Sequence, residues 1–439
     1  MASAQDSSIK KSGFTSTTTI MMIFVSGYFI DFAFNIFLAR HMGSNDYGNF
    51  KVAEAFIYLG SIITMMGGAS AAPRLLLPHI KNPNKEGVWG YVRFYIIVST
   101  IVSIVLLVLI VIGHYLHIST FSGNGYHPLL LAAIVIPLAG ISGLLCGVLH
   151  AANRLDLAFI PWGLGYSTLA FLFCFIASLI FGQISSFMAV GLVGAVVLSL
   201  IFFSLVCIYR LSLMPLKNIV RVGNRSQWLK ISFPIMVVAA LQMFMRQVDI
   251  YMIEFMAGEI AVGHFAAATV TTFVIIVIQL GLIALFSPQV VEALNKGQGT
   301  IRALNRKSMV LSFLLVLPLS LLLILFGHQI LDFFGHDVDL AFNALKALTI
   351  GYAITALMSV PIIWLQYGGA EKSIMVLLII SVVSNIFLNW LLIPILNIEG
   401  AAIATSLAMS ISAVGAIIIM KFKLGIFPWS GQSRMAKAE

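Results

Sequence analysis

Apolar runs of about twenty residues follow one another along almost the whole chain, separated by short polar stretches. They fall near 18–39, 50–72, 91–113, 128–149, 158–181, 185–209, 231–255, 262–287, 308–328, 342–365, 373–393 and 399–420. A helix needs roughly 20 residues to cross the ~30 Å hydrocarbon core of a bilayer, and each run meets that length. The pattern predicts an all-α polytopic membrane protein with twelve transmembrane helices. The first run, Ile20–Ala39, contains Asp31 and precedes no small-residue cleavage site, so it reads as a retained helix and not a signal peptide.

Composition agrees. Of 439 residues, 60% are hydrophobic and 9% charged, against about 45–50% and about 25% in soluble domains. Forty-one charged side chains (25 Lys and Arg, 16 Asp and Glu) are too few to cover a soluble chain of this length. A cytosolic enzyme, a DNA-binding protein and a disordered scaffold are excluded. Cys146, Cys174 and Cys207 lie far apart in apolar runs, so they read as packing residues.

The net charge of +9 has a topological explanation. Placing the loops alternately on two sides puts 21 of the 25 basic residues on one side, including Lys10, Lys11, Arg74, Arg93, Arg154 and the 210–230 linker. The 329–341 loop on the other side carries Asp332, Asp337 and Asp339 without a Lys or Arg. By the positive-inside rule, both termini are expected in the cytoplasm, with an even number of spans.

The chain also resembles itself at an offset of about 215 residues. Gly48-Asn-Phe-Lys-Val-Ala53 superimposes on Gly263-His-Phe-Ala-Ala-Ala268, and Pro73 on Pro288. One residue further, His150-Ala-Ala-Asn153 pairs with Gln366-Tyr-Gly-Gly369. Two parallel six-helix lobes are expected: 1–209, a basic linker at 210–230, and 231–439 with a short tail. Such lobes form a central cleft that opens alternately to either side.

Several segments resemble a known family. Phe37-Leu-Ala-Arg-His-Met-Gly-Ser-Asn-Asp-Tyr-Gly-Asn-Phe50 is similar to the end of the first helix in polysaccharide-biosynthesis flippases. Trp228-Leu-Lys-Ile-Ser-Phe-Pro-Ile235, Met256-Ala-Gly-Glu-Ile-Ala-Val-Gly-His-Phe265, Gln366-Tyr-Gly-Gly-Ala-Glu-Lys372 and Asn397-Ile-Glu-Gly-Ala-Ala-Ile-Ala-Thr405 extend the likeness over nearly the whole chain. It resembles the multidrug/oligosaccharidyl-lipid/polysaccharide (MOP) superfamily, and within it the Wzx-type oligosaccharide flippases. The resemblance implies a twelve-helix, two-lobed carrier with a V-shaped central cleft that moves a polyprenyl-pyrophosphate-linked oligosaccharide across the bacterial or archaeal cytoplasmic membrane, serving surface polysaccharide assembly such as O-antigen or capsule. Membrane lipids and polysaccharide assembly proteins are the partners it implies, with no nucleic acid.

Ionisable groups inside spans normally face a cavity, because lipid exposure costs several kcal/mol. Asp31 lies mid-run, with Tyr28 and Asn35 at i−3 and i+4. Gln242, Arg246 and Asp249 repeat at i, i+4 and i+7, and Asp31 aligns with Arg246 in the repeat. Glu54 and Glu254 extend the polar wall near the outer ends of segments 2 and 7. Arg246, a planar fork of donors, suits a pyrophosphate. Asp31 and Asp249 suit sugar hydroxyls or a coupling ion, and Arg74 and Arg93 could meet the phosphates as they enter. The competing reading is an Arg246–Asp249 or Arg246–Asp31 pair that only joins helices. Arg154 and Asp156 read as a solvated loop pair, and Gly140, Gly143 and Gly147 as a helix-packing face. A metal site at His114, His117 and His127 is not favoured.

No ATP-binding or hydrolase motif is present, so the chain reads as a carrier and not an enzyme. No cofactor is expected, and H+ or Na+ remain candidate coupling ions. The alternative function is an ion-coupled multidrug or organic-cation exporter of the same superfamily. A polymerase or glycosyltransferase is disfavoured, because the loops are too short to hold a sugar-handling domain.

Overall fold

The computed structural model describes the backbone at residues 2–81, 87–115, 128–213, 225–296, 298–335 and 338–424. Side chains are described from Thr19 onward, apart from positions 81, 113–115, 288, 295–296, 298–299, 302, 338, 359–360, 371 and 424. Lys10, Lys11, His114, His117, His127 and most of the basic linker lie outside the described side chains.

The described residues form helices and turns without a strand. One helical run, Ala2–Thr64, folds at Gly43 (φ 75°, ψ 165°) into α1 (2–42) and α2 (44–64). Then follow α3 (Gly68–Lys81), α4 (Val88–Tyr115), α5 (Leu129–Ala151), α6 (Leu155–Phe181) and α7 (Ser186–Arg210). The chain continues through α8 (Arg225–Ala257), α9 (Glu259–Lys296), α10 (Gln298–Asp332), α11 (Val338–Leu357) and α12 (Ser359–Tyr367). A last run, Glu371–Ile419, breaks at Asn397 (φ 54°) into α13 (371–396) and α14 (398–419).

Among the described residues, ten segments are long and apolar enough to cross a membrane. Two of them, Thr19–Ile80 and Lys372–Lys423, are 62 and 52 residues long. Each contains one of these backbone breaks and has the length for two crossings, in keeping with twelve. The exterior is apolar as a lipid-facing surface requires: on α4, Ile97, Ile101, Ile104, Val108 and Ile112 point outward, while Tyr91, Tyr95 and Ser99 are buried.

Two elements differ from the hydropathy reading. The second span begins at 44 and is interrupted at Met66 (φ 45°) and Gly67 (φ 79°), between α2 and α3. Tight-turn bonds at Met66 and Gly68, and a 2.6 Å bond from the Tyr91 hydroxyl to the Gly68 carbonyl, satisfy backbone groups that the break releases. In α6 the backbone widens into a π-helical turn over Pro161–Gly165, where proline supplies no N–H for a regular ladder.

The chain divides into two compact units, Met1–Ile250 and Tyr251–Glu439. The first takes in most of α8. There Ser232 accepts from the Tyr95 hydroxyl at 2.8 Å, and the Trp228 ring lies 5.2 Å from Tyr91 and 5.7 Å from Phe94. The second unit has its own buried cluster around Trp364, Phe286, Leu365 and Met420.

Backbone dihedrals carry the internal repeat independently of side chains. Gly43 and Gly258, both left-handed (φ 75° and 86°), stand 215 residues apart at equivalent helix junctions. Asn153 and Gly369 (φ 60° and 78°) stand 216 apart, and Gly182 and Asn397 (φ 77° and 54°) stand 215 apart. Glycine and asparagine tolerate this conformation best, so the turn chemistry repeats with the turns.

Glycines also permit the closest helix contacts. On α5, Gly140 packs against Met65 and Gly147 against Ala69 and Ala72, so the small-residue face seats α5 on α2 and α3. On α1, a Cβ at Gly27 would collide with the Gly163 carbonyl of α6, which is backbone and has no rotamer to yield; at Gly143 the nearest atom is the Ala69 Cβ at 3.9 Å. Gly27→Ala is therefore expected to cost about 1–3 kcal/mol of stability. Gly143→Ala should be neutral or slightly stabilising. Denaturant unfolding of the two variants in detergent checks the contrast, and equal stabilities would contradict it.

Candidate functional site

The first unit contains a buried polar network built by α1, α2 and α6. On α1, the Asn35 amide donates to the Asp31 carbonyl at 2.8 Å and to Asp31 Oδ2 at 3.2 Å, one turn back. The Asn35 carbonyl oxygen then accepts from two α2 side chains, the Tyr47 hydroxyl at 3.0 Å and Lys51 Nζ at 3.2 Å. Lys51 also forms an ion pair with Glu54, with only 11% and 7% of the two side chains exposed. From α6, the Tyr166 hydroxyl donates to Glu54 Oε1 at 2.7 Å and Ser167 Oγ to Asp31 Oδ1 at 3.2 Å. The Trp162 ring, in the π turn, stacks on Tyr166 at 5.5 Å and meets the edge of Tyr58 at 6.3 Å.

Two carboxylates and one ammonium thus meet beside the rings of Tyr58, Trp162 and Tyr166. Each charge has a hydrogen-bonding partner, which is the condition for keeping ions inside a bilayer-spanning fold. The ladder of partners also registers the three helices, because a slip of one residue on α2 would turn Lys51 and Glu54 away from Asn35.

Of the residues singled out in the sequence, Asp31, Asn35 and Glu54 come together here. Glu54 sits mid-helix and not near a helix end, because α2 starts at 44 and not at 50. Tyr28 is buried, with its ring 5.6 Å from Phe29 and 6.1 Å from Phe32. The polar stripe of α8 divides: Gln242 and Arg246 are exposed, while Asp249 and Glu254 are buried. Arg74 and Arg93 are exposed on α3 and α4. Arg154 grips Asp156 through two bonds of 3.1 and 2.9 Å, both side chains more than two-fifths exposed, as a solvated pair would be.

Sequence reasoning passed over Tyr47, Lys51, Tyr58, Tyr166 and Ser167. A signal for the α2 residues existed: Tyr47, Lys51, Glu54 and Tyr58 repeat at i, i+4, i+7 and i+11, one face of a helix. Tyr166 and Ser167 carried no local signal, since their partners are 112 and 136 residues away.

With fold and site described, the class is clear: a multi-pass helical membrane protein with the architecture of MOP-superfamily transporters. Residues 14–269 match the family model described as polysaccharide biosynthesis protein, and residues 234–391 match the MatE model. The chain belongs to the polysaccharide biosynthesis protein family, in the MOP superfamily. Among solved structures it is similar to an inward-facing multidrug resistance MATE family transporter (TM-score 0.75, 15% identity, 93% of this chain and 97% of that one). It is also similar to the lipid II flippase MurJ in an inward closed conformation (TM-score 0.74, 15% identity, 92% and 87%). A MATE transporter of Vibrio cholerae gives a TM-score of 0.65 at 15% identity, over 95% and 98%. At these identities the likeness concerns the fold. No curated protein matches the sequence. The family and the fold are those of transporters and flippases.

Removing the Tyr166 hydroxyl takes one hydrogen bond from a carboxylate, so Tyr166→Phe is expected to destabilise by about 1.5–3 kcal/mol. Asn35→Leu leaves Asp31, Tyr47 and Lys51 each a partner short and should cost more, about 3–5 kcal/mol. Denaturant unfolding in micelles ranks the two, and the reverse order would contradict a network centred on Asn35.

Proposed function

We propose that the chain is a flippase that moves a polyprenyl-pyrophosphate-linked oligosaccharide from the cytoplasmic to the outer leaflet by alternating access. The observation that carries this reading is the exposed position of Arg246 within an apolar helix. It lies 11 residues before the end of α8, about 16 Å along the helix axis at 1.5 Å per residue, and so near mid-membrane depth. A permanent charge at that depth is expelled from lipid, so its exposed surface belongs to a watery cavity. An arginine there offers paired donors to a pyrophosphate bridge, while the polyprenyl tail stays in the bilayer. Family membership in polysaccharide biosynthesis supports a glycan-bearing cargo.

Gln242, beside Arg246 on the exposed face, is assigned to sugar hydroxyls. Arg74 and Arg93 are assigned to first capture of the phosphates at the cytoplasmic face. That assignment takes both termini as cytoplasmic and the membrane as the inner one. Asp31, Asn35, Tyr28, Glu54 and Asp249 complete the polar lining, with the Asp31 network as the place where a coupling ion would act.

A second reading, ion-coupled export of organic cations, draws on the MatE match over 234–391 and on the two carboxylates of the network. Native mass spectrometry of protein extracted gently from its own membrane separates the two. A ladder of sugar-spaced masses on a polyprenyl pyrophosphate, lost in Arg246→Ala while the protein stays folded and inserted, is the expected result. Retained ladder masses and full transport in Arg246→Ala would refute the role given to this residue, and proton-dependent efflux abolished by Asp31→Asn would favour the exporter.

A further inference from the structure

Lys51 is the element of the buried network that neither family membership nor the cargo accounts for. Its ammonium bonds to two oxygens, Asn35 Oδ1 at 3.2 Å and a Glu54 carboxylate oxygen, and lies 6.0 Å from the centre of the Phe50 ring, while the Tyr47 hydroxyl bonds to that same Asn35 oxygen. Asp31 lies one hydrogen bond further on, through the Asn35 amide. Carbonyl, carboxylate and hydroxyl oxygens are the ligand set of a hard monovalent or divalent cation. The ammonium therefore stands where such an ion would be held.

The repeat shows that this charge pair was installed in one half only. At the 215-residue offset, Lys51 and Glu54 correspond to Ala266 and Thr269. Both members of the pair are absent together from the second half, as expected of a cation and the carboxylate that needs it.

We infer that Lys51 is a tethered cation that fills the ion position between Asp31, Asn35 and Glu54, and so excludes sodium from this unit. A compact ammonium on a flexible stem offers one positive charge and up to three donors, enough to substitute for a bound ion that could otherwise leave. The groups facing it are Asp31 and Asn35 from α1, Tyr47, Glu54 and Tyr58 from α2, and Tyr166 and Ser167 from α6. Apart from Lys51, this set brings no further positive charge. If the network couples transport to an ion, as the proposed function allows, that ion is not sodium at this position. The inference concerns ion occupancy and holds whichever cargo the carrier moves.

The test is thermal unfolding of the purified full chain in detergent, with NaCl exchanged for choline chloride at constant ionic strength. Lys51→Met keeps the stem and removes the charge, leaving an oxygen-lined, negatively charged hole. Its melting temperature is expected to rise by roughly 3 °C or more between no added sodium and about 150 mM, in excess of the wild-type response. Adding Asp31→Asn should remove that excess. A sodium response in Lys51→Met equal to that of the wild type would overturn the inference. Should Lys51→Met not fold, Asp31→Asn and Glu54→Gln in the wild-type background decide it. A wild-type sodium response unchanged by either substitution supports the tethered cation, and one abolished by them overturns it. Either result leaves the cargo assignment to the mass-spectrometric experiment.

Discussion

A charge enclosed between membrane-spanning helices has little water to fall back on, and the polar core of the first unit is organised by that shortage. Moving a carboxylate or ammonium into a low-dielectric interior costs several kcal/mol even after relaxation. Asp31, Lys51 and Glu54 offset that cost only by meeting one another through Asn35, Tyr166 and Ser167. Three helices must hold their register for the partners to coincide. The close contact of Gly27 with Gly163 and the π turn of α6 belong to the same arrangement, since they bring α1 and α6 near enough for Ser167 to reach Asp31.

The two halves share turns more faithfully than they share interiors. Left-handed residues recur at three equivalent junctions because a helix that reverses direction in few residues needs that backbone geometry, and few side chains permit it. Interiors were free to diverge. The first half has a charged network where the second has Ala266 and Thr269, and α2 breaks from α3 at Met66–Gly67 while α9 runs unbroken through the register-equivalent Gly281 and Leu282. In the second unit, neutral side chains bond to one another in the buried interior: Asn385 donates to Thr405 at 2.8 Å, Asn389 to Asn385 at 3.0 Å, and Trp364 to Asn305 at 2.6 Å. Neutral amides bind helices without the desolvation cost of ions, so a scaffold role needs no charge.

Polysaccharide-biosynthesis membership and the MOP fold set the frame, and Arg246 and Lys51 stand on different terms within it. Both are basic residues within apolar helices, yet one is exposed and the other nearly enclosed. The anion-binding role proposed for Arg246 draws on that exposure. Lys51 is engaged by Asn35 and Glu54 inside the network.

Much of this protein was legible along the chain. Twelve apolar runs, the 215-residue repeat, the helix-packing glycines of α5 and the solvated Arg154–Asp156 pair all follow from local pattern, because the hydrophobic period and the turn chemistry act over a few residues. The same locality explains the errors. A lysine at the start of an apolar run looks like a flanking charge near a helix end, although the spacing of Lys51 to Tyr47, Glu54 and Tyr58 marks one helix face. The interruption at Met66–Gly67 stays hidden in an apolar run, since it is sustained by Tyr91, a residue of the next span. Which polar groups meet was decided only in three dimensions: Tyr166 and Ser167 find Glu54 and Asp31 across more than a hundred residues of chain, and no periodicity encodes a contact of that length. Sequence determined that this chain must cross a bilayer many times and where it turns; tertiary packing decided which buried charges neutralise one another, because in lipid a charge is tolerable only beside its partner.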